Sequence, residues 1–156
     1  MGTVVLAGAT SGSTTLTPVD AVTATITLPS ATGTLVTGAF GIYTPTLTNG
    51  TNMAASTAYA LQYMRVGNTV TVGGYVGIDT TSAGATDTSM RMSLPIASNF
   101  AASTDAGGAG TAPVGGGAND GWGIYANAAT DDVTFNGKSM DTAARNLFFT
   151  FVYQVL

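Results

Sequence analysis

Apolar and hydroxyl-bearing residues alternate along much of this chain with a period of two. In residues 22–28, Val22, Ala24, Ile26 and Leu28 interleave with Thr23, Thr25 and Thr27. A strand places successive side chains on opposite faces, so this stretch predicts a strand with one apolar and one hydroxyl face. Shorter strand-like pieces at 3–6, 14–17 and 34–36 flank it. Turns are expected at 8–12, 18–20 and 29–33, where Gly, Pro and Ser cluster. From residue 39 the runs are longer and carry aromatics. Strands are predicted at 41–47, 59–66, 69–78, 90–94, 121–126, 132–135 and 147–155. Residues 54–62 and 141–147 are the only stretches worth testing as helix. In the first of them the alternation of Tyr59, Leu61 and Tyr63 favours a strand from Tyr59 onward.

Two features organise these strands. Gly67-Asn68 separates two alternating runs, from Met64 and to Val72, and suits a two-residue hairpin turn with Gly at positive φ. The run from Leu147 to Val155 is rich in aromatic and β-branched residues and predicts a central strand. Residues 101–119 are dominated by Gly and Ala. They read as a long surface loop, or a loop ordered at a subunit contact. Many short strands without intervening helices predict an all-β fold: an N-terminal arm, residues 1–38, followed by a β-sandwich of jelly-roll type over 39–156. The arm has too few large side chains to offset its own ordering entropy, so it is expected to need a partner surface. Its candidate interface side chains are Val22, Ile26, Leu28 and Leu35.

Composition narrows the chemistry. The 156 residues include four Lys plus Arg and eight acids, all Asp, with no His and no Cys. Imidazole bases, thiolate nucleophiles, Cys/His zinc sites and disulfides are therefore absent. So few cations against a net charge of −4 argue against nucleic acid and against an anionic membrane surface. The opening residues have no basic region before a long apolar run, so no signal peptide is expected, and Leu6 does not fit a myristoylation motif.

Each candidate motif has a bland reading that is preferred. Residues 8–13 have the glycines of a phosphate loop but no Lys. Residues 115–121 have Gly, Asn and Asp suited to Ca²⁺, but in a single imperfect copy. Asp131 and Asp132 are a carboxylate pair, but neighbours on a strand point apart, and Asp is a normal turn residue. No catalytic residue and no cofactor is expected. Tyr43, Trp122 and Tyr125 are the candidate sugar-binding face, against the commoner role of strand aromatics in cross-strand packing. Arg65, Arg91 and Arg145 suit ion pairs with Asp79, Asp87 or Asp141.

Residues 3–16 followed by 24–36 resemble the N-terminal β-segments of structural proteins of tailed bacteriophages. Residues 43–47, 63–72, 92–96 and 149–153 resemble the β-domain that ends many phage fibre proteins. The resemblance implies a virion structural protein, commonly a homotrimer. Without a long shaft, a capsid decoration or head-fibre role is expected, with the major capsid protein or other virion proteins as partners. The alternative is a tail-fibre tip that contacts host surface glycans.

Overall fold

The computed structural model describes residues 4–7, 13–16 and 38–156. The chain divides into two units, residues 1–35 and 36–156. In the first, β1 (Val4–Ala7) pairs antiparallel with β2 (Ser13–Leu16), Val4 facing Leu16 and Ala7 facing Ser13. The expected interface residues Val22, Ile26, Leu28 and Leu35, and the glycine turn at 8–12, lie outside the described residues.

The second unit is all-β. Its strands are β3 (Gly38–Tyr43), β4 (Leu47–Asn49), β5 (Met53–Thr57), β6 (Leu61–Val66), β7 (Thr69–Thr80), β8 (Thr86–Ser93), β9 (Ala106–Pro113), β10 (Asn119–Asn127), β11 (Asp132–Ser139) and β12 (Arg145–Gln154). They form one antiparallel sheet in the order β3-β6-β7-β12-β9-β10-β11-β8-β4, with β5 added to β7. A jelly-roll sandwich would divide these strands between two facing sheets. Here hydrogen bonding runs through a single sheet that curls into a half-barrel around its own core.

The curl follows from the alternation. Val70, Val72, Val76 and Ile78 of β7 and Leu147, Phe149, Phe151 and Tyr153 of β12 turn inward and are buried. So do Trp122 and Ile124 of β10, Val133 and Phe135 of β11, and Met90 and Met92 of β8. Phe135 meets Phe149 edge-on with ring centroids 4.9 Å apart, although two strands lie between β11 and β12. The edges are tied as well. The turn between β4 and β5 receives the Ser89 amide on the Thr51 carbonyl at 3.0 Å, and its Asn52 side chain donates to Thr88 Oγ1 at 2.8 Å. The Thr81 amide donates to the Asn52 carbonyl at 3.3 Å, so this turn links β7 to β8.

Two predicted elements take a different form. Residues 106–113, expected within a loop, are strand β9, paired on both sides with β10 and β12. The reason is space. A Cβ on Gly110 would stand 2.9 Å from the Phe148 carbonyl oxygen and 3.1 Å from Phe149 Cβ, so the neighbouring aromatic strand leaves room only for hydrogen. The glycines that erase the periodicity are what lets Phe149 and Phe151 reach Phe135. The predicted strand 41–47 is two strands, β3 and β4, that pair with β6 and β8. Pro45, with no amide hydrogen, lies in the break between them.

The predicted hairpin is present, with Val66 opposite Thr69. Gly67 has φ +60, while Asn68 is not among the residues at positive φ, the pattern of a type II′ turn. Arg65 Nε donates to the Gly67 carbonyl and the Val155 amide to that of Asn68, both at 2.7 Å. Gly67→Val forces a β-branched residue into this conformation. An expected loss of about 1–3 kcal/mol follows, measured as a lower urea midpoint at unchanged slope.

Candidate functional site

The inward aromatics leave the opposite face to be explained. On β3 the outward positions are Gly38, Phe40 and Ile42, and on β6 they are Gln62, Met64 and Val66. Thr69, Thr71, Gly73 and Tyr75 follow on β7, then Phe148, Thr150, Val152 and Gln154 on β12. The face continues over Gly107, Ala109 and Thr111 of β9 and Gly121, Gly123 and Tyr125 of β10. Across these six strands it carries no charged side chain until Asp79 near the end of β7. Phe40 is 89% exposed and Ile42 71%. Met64, Val66, Phe148 and Val152 are exposed too. Between them lies an open groove of about 860 Å³, lined by Phe40, Ile42, Gln62, Met64, Thr71 and Thr150 among others. Tyr59, Tyr75 and Phe148 form an aromatic row at one end, with centroids 4.9 and 5.5 Å apart.

Charge returns on the next two strands. Arg91 of β8 pairs with Asp132 of β11 at 3.3 Å, and Lys138 of β11 with Asp87 of β8 at 2.7 Å. The outer surface is thus divided into an apolar and hydroxyl side and an ion-paired side.

The residues singled out from the sequence do not gather into one site. Trp122 is 3% exposed and packs over Gly137, whose Cβ, if added, would fall 2.7 Å from the indole. Tyr125, three residues on, points outward from the same strand. Tyr43 is half-buried, stands edge-on to Tyr63 at 6.1 Å and donates to the Ser93 carbonyl at 3.5 Å. Burial, and then the neighbouring Tyr153, push the Tyr43 hydroxyl pKa up. Tyr153 is pushed up to about 12 by burial, and its hydroxyl donates to the Ile96 carbonyl at 2.7 Å. Tyr43, Trp122 and Tyr125 therefore share no surface.

The carboxylate pair is split in the same way. Asp131 Oδ2 accepts from the Ser98 amide and Oδ1 from the Phe100 amide, each at 3.1 Å, while Asp132 turns to Arg91. Burial alone would raise the Asp131 pKa, but the Phe100, Asn99 and Ser98 amides together hold it below the usual value. A carboxylate lowered in the folded state contributes stability above its unfolded pKa, and that stability is lost as pH falls through the folded pKa. Asp131→Asn is expected to lower the melting temperature at pH 7 and to flatten its decline below about pH 4, read by thermal unfolding across pH.

The arginines also choose other partners than expected. Arg145 pairs with Asp120 at 2.5 Å, both side chains being buried, while the Asp141 backbone carbonyl accepts from Arg145 Nη1 at 2.7 Å. Ser139 Oγ accepts from Arg145 Nη2, and the Met140 amide donates to Asp120. Arg65 is held by the Gly67 carbonyl. Asp120 comes from the segment resembling a calcium loop, and its carboxylate is already committed to Arg145. Among the described residues no group of three or more acids is placed to hold a metal ion.

Comparisons with protein-family models, with curated proteins and with solved structures return no match. The fold and the face stand on the sequence and the geometry alone.

Proposed function

We propose that the chain is a structural protein of a tailed-bacteriophage virion, a capsid decoration or head-fibre protein acting as a homotrimer on the major capsid protein. The observation that carries this reading is the outer face across β3, β6, β7, β12, β9 and β10, uncharged apart from Asp79 near the end of β7. Such a face suits adhesion by burial and backbone pairing, because away from Asp79 no ion has to be stripped of water when it is covered. The resemblance of residues 43–47, 63–72 and 149–153 to phage fibre β-domains points the same way.

Gold-labelled antibody on intact virions tests it. Label spread over the capsid lattice supports decoration. Label confined to the tail tip supports the alternative, receptor binding, for which the exposed row Tyr59, Tyr75 and Phe148 is the stacking surface for host glycans. Absence of label from virions overturns both.

A further inference from the structure

We infer that the outer face centred on Phe40, Ile42, Met64, Val66, Val152 and Phe148 is where one copy of the chain packs against another. The inference rests on the homotrimer reading and names the surface that makes it.

Three observations commit the face to a second copy. The first is size. Taking about 150 Å² per side chain, the low end of the aromatic range because four of the six are aliphatic, these residues present about 500 Å² at their observed exposures. That lies toward the top of the roughly 300–600 Å² of the largest patch on a typical monomer. Gln62, Thr71 and Thr150 between them widen the face toward the roughly 800 Å² per partner of a standard interface.

The second is charge. A surface that meets copies of itself risks bringing like charges together, and in a chain with eight Asp and four cations the penalty would be mostly acidic. Around these six residues the face carries neither sign, its one charge being Asp79 near the end of β7, whereas β8 and β11 carry Arg91, Asp132, Lys138 and Asp87. A basic or acidic partner would find no complementary charge here. Around a threefold axis one part of the face meets a different part of the next copy's face, and because all of it is apolar with hydroxyls from Thr71 and Thr150, no mismatch arises.

The third is the edge. Strand β3 ends the sheet, and among the described residues no strand pairs with its second edge. Its residues Gly38–Tyr43 include none of the charges or prolines that ordinarily protect an edge from another chain. The most exposed apolar side chains, Phe40 and Ile42, stand on this same strand. Among the described residues, face and edge are therefore open to one neighbour together.

The test is sedimentation equilibrium of the full chain at tens of micromolar, with the double variant Phe40→Asp/Ile42→Asp and the control Asn136→Asp on the outer side of β11. Both replaced residues are exposed, so the variant is expected to keep the wild-type circular dichroism. Expected masses are three times 15.5 kDa for wild type and control, and 15.5 kDa for the double variant. A folded double variant that retains the trimer mass overturns the inference and leaves the trimer reading standing. A wild-type dimer that the variant dissociates overturns the trimer but upholds the face. A monomeric wild type overturns both. Protection of Met64 from peroxide in that monomer identifies a segment of the same chain as the occupant.

Discussion

Asp120→Ala is expected to cost about 3–5 kcal/mol, the range for removing one partner of a buried ion pair. The Arg145 side chain is 7% exposed and that of Asp120 is fully buried. Loss of the carboxylate strands the guanidinium beside the Ser139 hydroxyl and the Asp141 and Ala143 carbonyls, none of which carries a formal charge. It also removes the acceptor of the Met140 amide. The damage concentrates where β10, β11 and β12 meet, because Thr80 and Ser139 bond to each other and to the Asp141 carbonyl in the same network. Replacing both partners, Asp120→Asn with Arg145→Met, is expected to cost less than the sum of the two single changes. Chemical denaturation of the four proteins as a double-mutant cycle measures this. Additive losses would show that the two side chains act independently.

Gly108→Val is the second large loss, expected at the upper end of the roughly 1–3 kcal/mol typical of overpacked cores. A Cβ at Gly108 runs into the Phe151 backbone and Cβ and the Thr150 carbonyl. These are atoms of the central strand, which cannot move without breaking its pairing with β7. Gly107 provides the internal control. It is the neighbouring residue of the same strand, and an added Cβ there meets nothing within 4 Å. Gly107→Ala is expected to stay within about 0.5 kcal/mol of wild type. Thermal and urea unfolding of the pair separate a packing requirement at one face of β9 from a general need for flexible backbone. Equal losses at both positions would mean the latter.

The contrast between these glycines shows where sequence patterns lose their grip. A period-two pattern is a property of side chains, and it was legible wherever side chains do the packing. Val70 and Val72 against Thr69 and Thr71 marked the hairpin, and Gly67 marked its turn. Leu147, Phe149, Phe151 and Tyr153 marked β12, which does lie in the interior of the sheet. In β9 the inward positions are Ala106, Gly108, Gly110 and Ala112, so the strand most closely embraced by its neighbours has the weakest signature.

The candidate surface was less legible. Tyr43, Trp122 and Tyr125 share a chemical type, but the period-two alternation of a strand sends Trp122 and Tyr125, an odd number of residues apart on β10, to opposite sides. Residue parity along β10 separates Trp122 from Tyr125 once the strand is known. The face that emerges instead, with Phe40, Ile42, Met64 and Val66, is drawn from strands whose alternation is equally clear. What their sequences lack is any sign of which face is inward, since apolar residues occupy both. The partner of Arg145 was hidden for a related reason. Asp120 lies 25 positions away in a glycine-rich stretch, and only the pairing of β9 with β10 and β12 makes that stretch part of the core.

By itself the sequence determined the all-β class, the Gly67-Asn68 turn, the central place of residues 147–155 and the exclusion of imidazole and thiol chemistry. These depend on local backbone preference, on short-range periodicity and on residue types that are present or missing. Tertiary structure alone decided that one sheet curls on itself, that a glycine stretch is an interior strand, that Asp120 meets Arg145, and that six strands share an outer face with Asp79 as its one charge. Each of those depends on which strands become neighbours, and strand neighbours are chosen by the packing of distant residues around Phe135, Phe149 and Phe151.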